Sequence, residues 1–341
     1  MKINYLRVSV TDCCNLNCIY CRPLSLANHV PRSELLRFEK IRDFVALAVQ
    51  WGIDKVRITG GEPLVRNNIV NLVEMLSQIK GIRDLTMTTN GVRLEEFAQE
   101  LKQAGLSRIN VSLDSLDRER FTHITGYDKL LEVLRGIKAA RKVGLDPVKI
   151  NVVILKGVNE KEILKFVSFG LEQGLIIRFI EYMPIGGIGQ NNRYLPNNFA
   201  KEIIERKWGG LEPLSSYNGS PAKYFKIRGT HSRLGFINSI SRPFCSSCSR
   251  LRLTAKGELR PCLFTNFGVN LKKALRKKAK ETKREEIKAL FDLAVRNKVK
   301  RELSSLSNPQ KKHQKAPSKF NSEIKERSAA FIEGNMFQIG G

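Results

Sequence analysis

Short apolar runs alternate with helically spaced apolar positions through the first two-thirds of this chain. Strand-like runs fall at Leu6–Thr11, Lys55–Thr59, Leu85–Thr89, Ile109–Leu113, Val148–Leu155 and Ile176–Met183. Between them the 3.6-residue period predicts helices over Phe38–Gln50, Ile69–Ile79, Leu94–Ala104, Lys129–Lys142 and Glu160–Gln173, with another over Asn198–Trp208. Gly52, Gly81, Gly105, Gly144 and Gly174 follow those helices as stop signals. Strand–helix alternation predicts right-handed crossovers and a parallel sheet. Six units are fewer than a closed eight-unit barrel needs, so the period alone allows an incomplete barrel or a doubly wound sheet.

Polar residues collect where the strands stop. The first run enters a cysteine-rich loop. The second ends in Gly60-Gly61-Glu62-Pro63, the third in Thr88-Thr89-Asn90-Gly91, and the fourth carries Ser112 and ends at Asp114-Ser115. The sixth ends at Glu181-Tyr182-Met183-Pro184. Any one of these is an ordinary turn. Five of six at one sheet edge mark the side where parallel α/β folds bind ligands.

Beyond residue 210 the pattern changes. Lys223–Arg228 and Leu234–Ile240 predict a hairpin, and Leu251–Thr254 with Leu259–Leu263 a second one turning at Lys256-Gly257. The second folds Cys262 back beside Cys248 and sets Arg250 and Arg252 on one strand face. We expect two domains, residues 1–210 and residues 211–341, the second small, β-rich and organised by cysteines. No long sequence repeat is present, and the composition of residues 303–328 predicts a mobile segment.

Bulk composition changes this picture little. At 341 residues, 42% hydrophobic and 27% charged, the chain reads as an ordinary globular protein. No apolar run of about eighteen residues predicts a membrane span, and no apolar signal segment opens the chain, so a cytoplasmic location is expected. The net charge of +26 suits a polyanionic partner or a lysine-rich solvated surface. After residue 270 the apolar residues Leu271, Leu275, Ile287, Leu290 and Phe291 recur at helical spacing, so the lysines there read as exposed helix faces.

Candidate chemistry lies in the cysteines. Six of seven form two triplets: Cys14, Cys18 and Cys21 (C-x3-C-x2-C), and Cys245, Cys248 and Cys262. In a reducing compartment such clusters bind metal rather than pair as disulfides. Three thiolates hold a [4Fe–4S] cluster with one iron open, whereas a zinc site closes with a fourth protein ligand. His29 could close a zinc site, but the first triplet's spacing is unlike a zinc finger's. Cys13 stands adjacent to Cys14 and is unassigned.

The first triplet after the first strand, with Tyr20 before its last cysteine and Gly-Gly-Glu-Pro after the second strand, resembles the radical SAM superfamily. That resemblance implies an incomplete (β/α)6 TIM-like barrel and an open iron that chelates S-adenosylmethionine. The segment Phe-Cys-Ser-Ser-Cys-Ser-Arg-Leu-Arg-Leu, the later Cys262 and the terminal Gly340-Gly341 resemble the GTP 3′,8-cyclase (MoaA) family of molybdenum cofactor biosynthesis. The likeness covers residues 3–270 and the tail. It implies a lyase that converts GTP to 3′,8-cyclo-7,8-dihydro-GTP through a 5′-deoxyadenosyl radical, with guanine on the second cluster's open iron.

Carried over by position, the resemblance makes the two triplets cluster ligands. It places Tyr20, Gly61, Ser112 and Met183 at the S-adenosylmethionine. It places Arg7, Arg57, Thr88, Lys149, Arg250, Leu251 and Arg252 at GTP, and gives Arg250, Arg252, Gly340 and Gly341 catalytic roles. Taken alone, the strand cations fit ion pairs, Met183 fits core filling, and Thr88 and Ser112 fit strand-end capping. The resemblance also implies an electron donor such as flavodoxin or ferredoxin, a homodimer, and product handover to cyclic pyranopterin monophosphate synthase. No nucleic-acid or membrane partner is expected. Cys13 stands where the family commonly has arginine, Arg22 where methionine is usual, and the lysine-rich stretch is long. The competing readings are a radical SAM enzyme with an auxiliary cluster acting on a peptide or RNA, and a metal-stabilised basic protein that binds nucleic acid. No phosphate-cradling G-x-x-x-x-G-K-[ST] loop is present, which argues against a GTPase.

Overall fold

The computed structural model describes residues 2–21, 29–183, 191–215 and 220–306. Six strands pair in parallel and in chain order: β1 (Tyr5–Ser9), β2 (Lys55–Thr59), β3 (Asp84–Thr89), β4 (Arg108–Ser112), β5 (Lys149–Ile154) and β6 (Ile176–Glu181). Helices α1 (Phe38–Gln50), α2 (Ile69–Ser77), α3 (Leu94–Gln103), α4 (Arg118–Thr125), α5 (Leu130–Lys142) and α6 (Ile163–Glu172) lie in the crossovers, and α7 (Asn197–Trp208) follows β6. β1 and β6 do not pair with one another, so this is an incomplete (β/α)6 barrel.

Strand alternation divides the labour. Leu6 and Val8, Val56 and Ile58, Met87, Ile109 and Val111, Ile150 and Val152, and Ile177 and Phe179 are buried in one core with the helices. Their alternates are polar: Arg7, Arg57, Thr88, Asn110, Ser112, Lys149, Asn151 and Arg178. One face of each strand therefore builds the core while the other lines a cavity.

Residues after 210 extend this sheet at both edges. At one edge β9 (Leu234–Ile237) pairs parallel with β6, then β8 (Lys223–Ile227) and β7 (Leu211–Pro213) follow antiparallel. At the other edge β10 (Arg250–Leu253) pairs parallel with β1, followed by β11 (Glu258–Arg260) and β12 (Val269–Asn270). Both expected hairpins form, and their partners in the barrel were not legible in the sequence. The result is one twelve-stranded sheet.

Helices α8 (Lys272–Arg276) and α9 (Lys280–Leu306) complete the described chain. Of the apolar positions the helical spacing picks out, Leu271, Leu275, Ile287 and Phe291 are buried and Leu290 is half-buried; Ala294 is buried too, and Phe291 packs at a tilt against Trp51 at 5.1 Å between ring centroids. The expected mobile segment at 303–328 lies mostly outside the described residues; its first four residues end α9. Among the described residues no helix is long and apolar enough to cross a membrane.

Phe291 joins α9 to the barrel, so Phe291→Ala is expected to cost roughly 3 kcal/mol, the usual loss for deleting a buried aromatic ring. Denaturant unfolding measures it, and a loss under about 1 kcal/mol would mean that α9 is not docked through this ring.

Candidate active site

The loop after β1 is seated on the loop after β2 by main-chain contacts. Gly61 N–H donates to Thr11 O at 2.8 Å and Glu62 N–H to Cys13 O at 2.8 Å. A Cβ on Gly61 would stand 2.3 Å from Cys13 O, so only glycine lets the two loops meet. The buried Glu62 carboxylate ties this loop onward to the end of β3. It accepts from Leu64 N–H at 3.0 Å, the Thr89 hydroxyl at 2.6 Å and Asn90 N–H at 2.6 Å. Burial lifts its pKa to about 7 against the pull of those three donors.

The first thiol triplet hangs from this frame. Asn90 Nδ2 lies 3.7 Å from Cys14 Sγ, and Cys21 N–H donates to Cys18 O at 2.9 Å. The end of α4 holds the loop from the other side, where Asn17 and Ile19 N–H groups donate to Thr125 and Ile124 carbonyls. Tyr20 hydroxyl donates to Asp114 Oδ2 at 2.5 Å, and Asp114 Oδ1 accepts from Val153 N–H. Burial raises Asp114 to about 6. Burial also raises the Cys18 thiol well above its ordinary range, reinforced by Cys21, Asp114 and Cys14. Three neighbouring thiols are a set that a multivalent metal stabilises as thiolates.

The second triplet has the opposite surroundings. Arg250 Nε donates to Cys248 Sγ at 3.3 Å, and the buried ammonium of Lys298 donates to Cys248 Sγ at 3.5 Å and Pro261 O at 3.0 Å. Burial would raise the Cys248 thiol, but Arg250 and Lys298 bring it down to about 6. Cys262 lies close enough to Arg250 and Arg252 to act on the charge of both.

Both triplets line one cavity of about 1000 Å³. Its wall carries a row of guanidinium groups in strand register: Arg252 on β10, Arg7 on β1 and Arg57 on β2. Burial depresses the Arg7 pKa well below the arginine range, with Arg252, Arg57 and Arg250 pushing the same way. Lys149 is brought down to about 8, chiefly by burial, and stands 3.4 Å from the Tyr224 hydroxyl. Arg178 shares the wall because Gly235 opposes it; a Cβ there would meet Arg178 Cγ at 2.8 Å.

The structure brings nearly every expected residue to this cavity. The six cysteines, Tyr20, Gly61, Ser112, Met183, Arg7, Arg57, Thr88, Lys149, Arg250 and Arg252 all line it. Leu251 does not: strand alternation turns its side chain into the core, away from Arg250 and Arg252. Arg22, Gly340 and Gly341 lie outside the described residues. His29 lies against Cys13 and Asp12 rather than closing the first triplet. Sequence reasoning missed Asp114 as the Tyr20 partner, Arg178, Tyr224 and Lys298. Lys298 corrects the solvated reading of the lysine-rich segment at one position. Its spacing from Ile287, Phe291 and Ala294 sets it on the buried face of α9, which the helical period could have revealed.

Comparison with known proteins agrees with this geometry. The Radical SAM superfamily profile matches residues 8–170 and the Molybdenum Cofactor Synthesis C profile matches residues 175–303. The chain is 49% identical to the GTP 3′,8-cyclase of Petrotoga mobilis, over 80% of this chain and 84% of that protein. It is 45% identical to the GTP 3′,8-cyclase of Desulforamulus reducens, over 87% and 91% respectively. Among solved structures, Streptococcus suis SuiB bound to S-adenosylmethionine superposes with a TM-score of 0.61 at 16% identity, over 81% of this chain and 64% of SuiB, a likeness of fold alone.

The Gly61 contact predicts a selective defect. Gly61→Ala is expected to cost the first iron–sulfur cluster and spare the second, so anaerobic reconstitution retains about four irons fewer than the parent. Iron analysis reads this directly, and an unchanged iron count would show that the two loops can separate without cost.

Proposed function

The chain belongs to the GTP 3′,8-cyclase family of radical SAM enzymes, and we propose that its central cavity converts GTP to (8S)-3′,8-cyclo-7,8-dihydroguanosine 5′-triphosphate. This is the first step of molybdenum cofactor biosynthesis. The observation that carries the reading is the single cavity lined by both cysteine triplets, large enough at about 1000 Å³ for two nucleotide-sized molecules side by side.

Cys14, Cys18 and Cys21 would hold one [4Fe–4S] cluster, and Cys245, Cys248 and Cys262 the other, each leaving one iron open. When bound, the first cluster and S-adenosylmethionine would supply the radical chemistry for hydrogen abstraction. The protein's part is binding, orientation and exclusion of water. Tyr20, Gly61, Ser112 and Met183 line the S-adenosylmethionine side. Arg7, Arg57, Lys149 and Arg252 offer fixed cations to the triphosphate, where arginine forks pair two oxygens at once. Thr88 adds a hydroxyl, and Arg250 orders the guanine side through its contact with Cys248. Leu251 could contribute only through its main chain. In this reading residues 1–210 are the radical core and residues 211–341 carry the substrate cluster and a Gly340-Gly341 tail that enters the cavity. A low-potential donor such as flavodoxin or ferredoxin supplies the electron. The enzyme works in the cytoplasm as a homodimer and passes its product to cyclic pyranopterin monophosphate synthase.

Anaerobic reconstitution is expected to yield about eight irons per chain, and S-adenosylmethionine, GTP and a reductant to yield 5′-deoxyadenosine with the cyclised nucleotide. Four irons, or cleavage of S-adenosylmethionine indifferent to GTP, would contradict the proposal.

Lys149 gives binding a pH signature. A lysine is cationic below its pKa, so this charge is present below about 8 and lost as pH rises through it. GTP affinity in the absence of reductant is expected to weaken by roughly tenfold across that rise, the worth of one charge-assisted contact. Lys149→Arg keeps its charge and should flatten the profile; an identical slope in the variant would remove Lys149 from the triphosphate site.

A further inference from the structure

Asp12, Cys13 and His29 converge outside the cavity wall, and no step above uses them. Cys13 Sγ lies 3.4 Å from His29 Nδ1, His29 Nδ1 lies 3.7 Å from Asp12 Oδ2, and Cys13 Sγ lies 4.0 Å from Asp12 Oδ1. One donor atom from each falls within 4.8 Å of the other two. A tetrahedral ion with bonds of about 2.0–2.3 Å spaces its ligand atoms about 3.3–3.8 Å apart, so donors within 4.8 Å of one another need draw in by only about an ångström to take three of its corners. We propose that Asp12, Cys13 and His29 form a third metal site, which takes a single zinc ion with water in the fourth position.

The scaffold around the three donors is built before any ion arrives. Asp12 is fully buried, and its Oδ2 accepts from Val30 N–H at 2.7 Å, which fixes the carboxylate from the outer shell. Cys13 N–H donates to Thr11 Oγ1 at 3.1 Å, and Cys13 O accepts from Glu62 N–H. The absence of a side chain at Gly61 keeps the Asp12 and Cys13 carbonyls in place. Asp12 and Cys13 are neighbours, yet the chain bends at Asp12, and that bend turns both donors to one side. His29 is 42% exposed and supplies the route by which an ion enters.

The mixed donor set selects the metal. One thiolate, one imidazole and one carboxylate suit a borderline cation in tetrahedral geometry, whereas calcium and magnesium want oxygen alone. The three donors are distinct from both triplets, so the ion adds to the iron clusters and replaces none of their iron.

The test uses the anaerobically reconstituted protein with both clusters loaded, exposed to zinc alone, desalted and analysed for zinc and iron. The parent should retain one zinc beside an unchanged iron content. Cys13→Ser and His29→Gln should each retain the iron and lose the zinc. Zinc-edge X-ray absorption should show one sulfur at about 2.3 Å and nitrogen or oxygen at about 2.0–2.1 Å. No retained zinc, zinc held equally by both variants, an all-sulfur shell, or iron lost in step with zinc gained would each overturn the proposal.

Discussion

Three guanidinium groups abreast on neighbouring strands are the constraint on which the rest of this structure turns. Arg252, Arg7 and Arg57 occupy one register row, and adjacent strands lie about 4.8 Å apart. Burial of such charges opposes folding, and it depresses the Arg7 pKa first of all, with Arg252, Arg57 and Arg250 adding to it. The apolar faces of the same strands, packed under six helices, must hold the row together. A polyanion in the cavity would offset that cost, which is the physical ground for proposing a triphosphate at this row. The row also explains why the segment after residue 210 joins the barrel sheet: without β10, its first member is missing.

The two thiol triplets sit in this field differently. The first lies beside Asp114 and Tyr20 at the end of the parallel strands, where burial and a nearby carboxylate raise Cys18. The second lies among cations: burial would raise Cys248, but Arg250 and Lys298 outweigh it and lower the thiol. Hydrogen bonds and charge around cluster sulfurs are the means by which a protein sets cluster potential. The two thiol triplets thereby have two electrostatic settings across one cavity, one beside a buried carboxylate and one beside buried cations.

Much of this was legible in the chain. The bounds of α1 and β2 are those the pattern predicts, because apolar spacing and a flanking Gly52 leave no alternative. The polar strand ends identified the binding edge, since side chains at a strand's exit have little core to fill. What escaped was short or long-range. Helix α4 carries its Asp117 cap, which accepts from Arg120 N–H at 2.9 Å, but eight residues hold too few apolar positions to display a period. Leu251 could be seen to alternate with its two arginine neighbours, yet the resemblance grouped all three; only the register with Leu6 shows it in the core. Pairing of β9 with β6 and of β10 with β1 depends on contacts between distant segments, which no local pattern encodes.

S-adenosylmethionine and GTP are proposed to meet in the cavity that both triplets line. Transfer of deuterium from GTP labelled at ribose C3′ tests it most directly, read by mass spectrometry of the 5′-deoxyadenosine formed under anaerobic, reducing conditions. The account predicts one deuterium in that product. Unlabelled 5′-deoxyadenosine, formed alongside turnover of GTP, would contradict it.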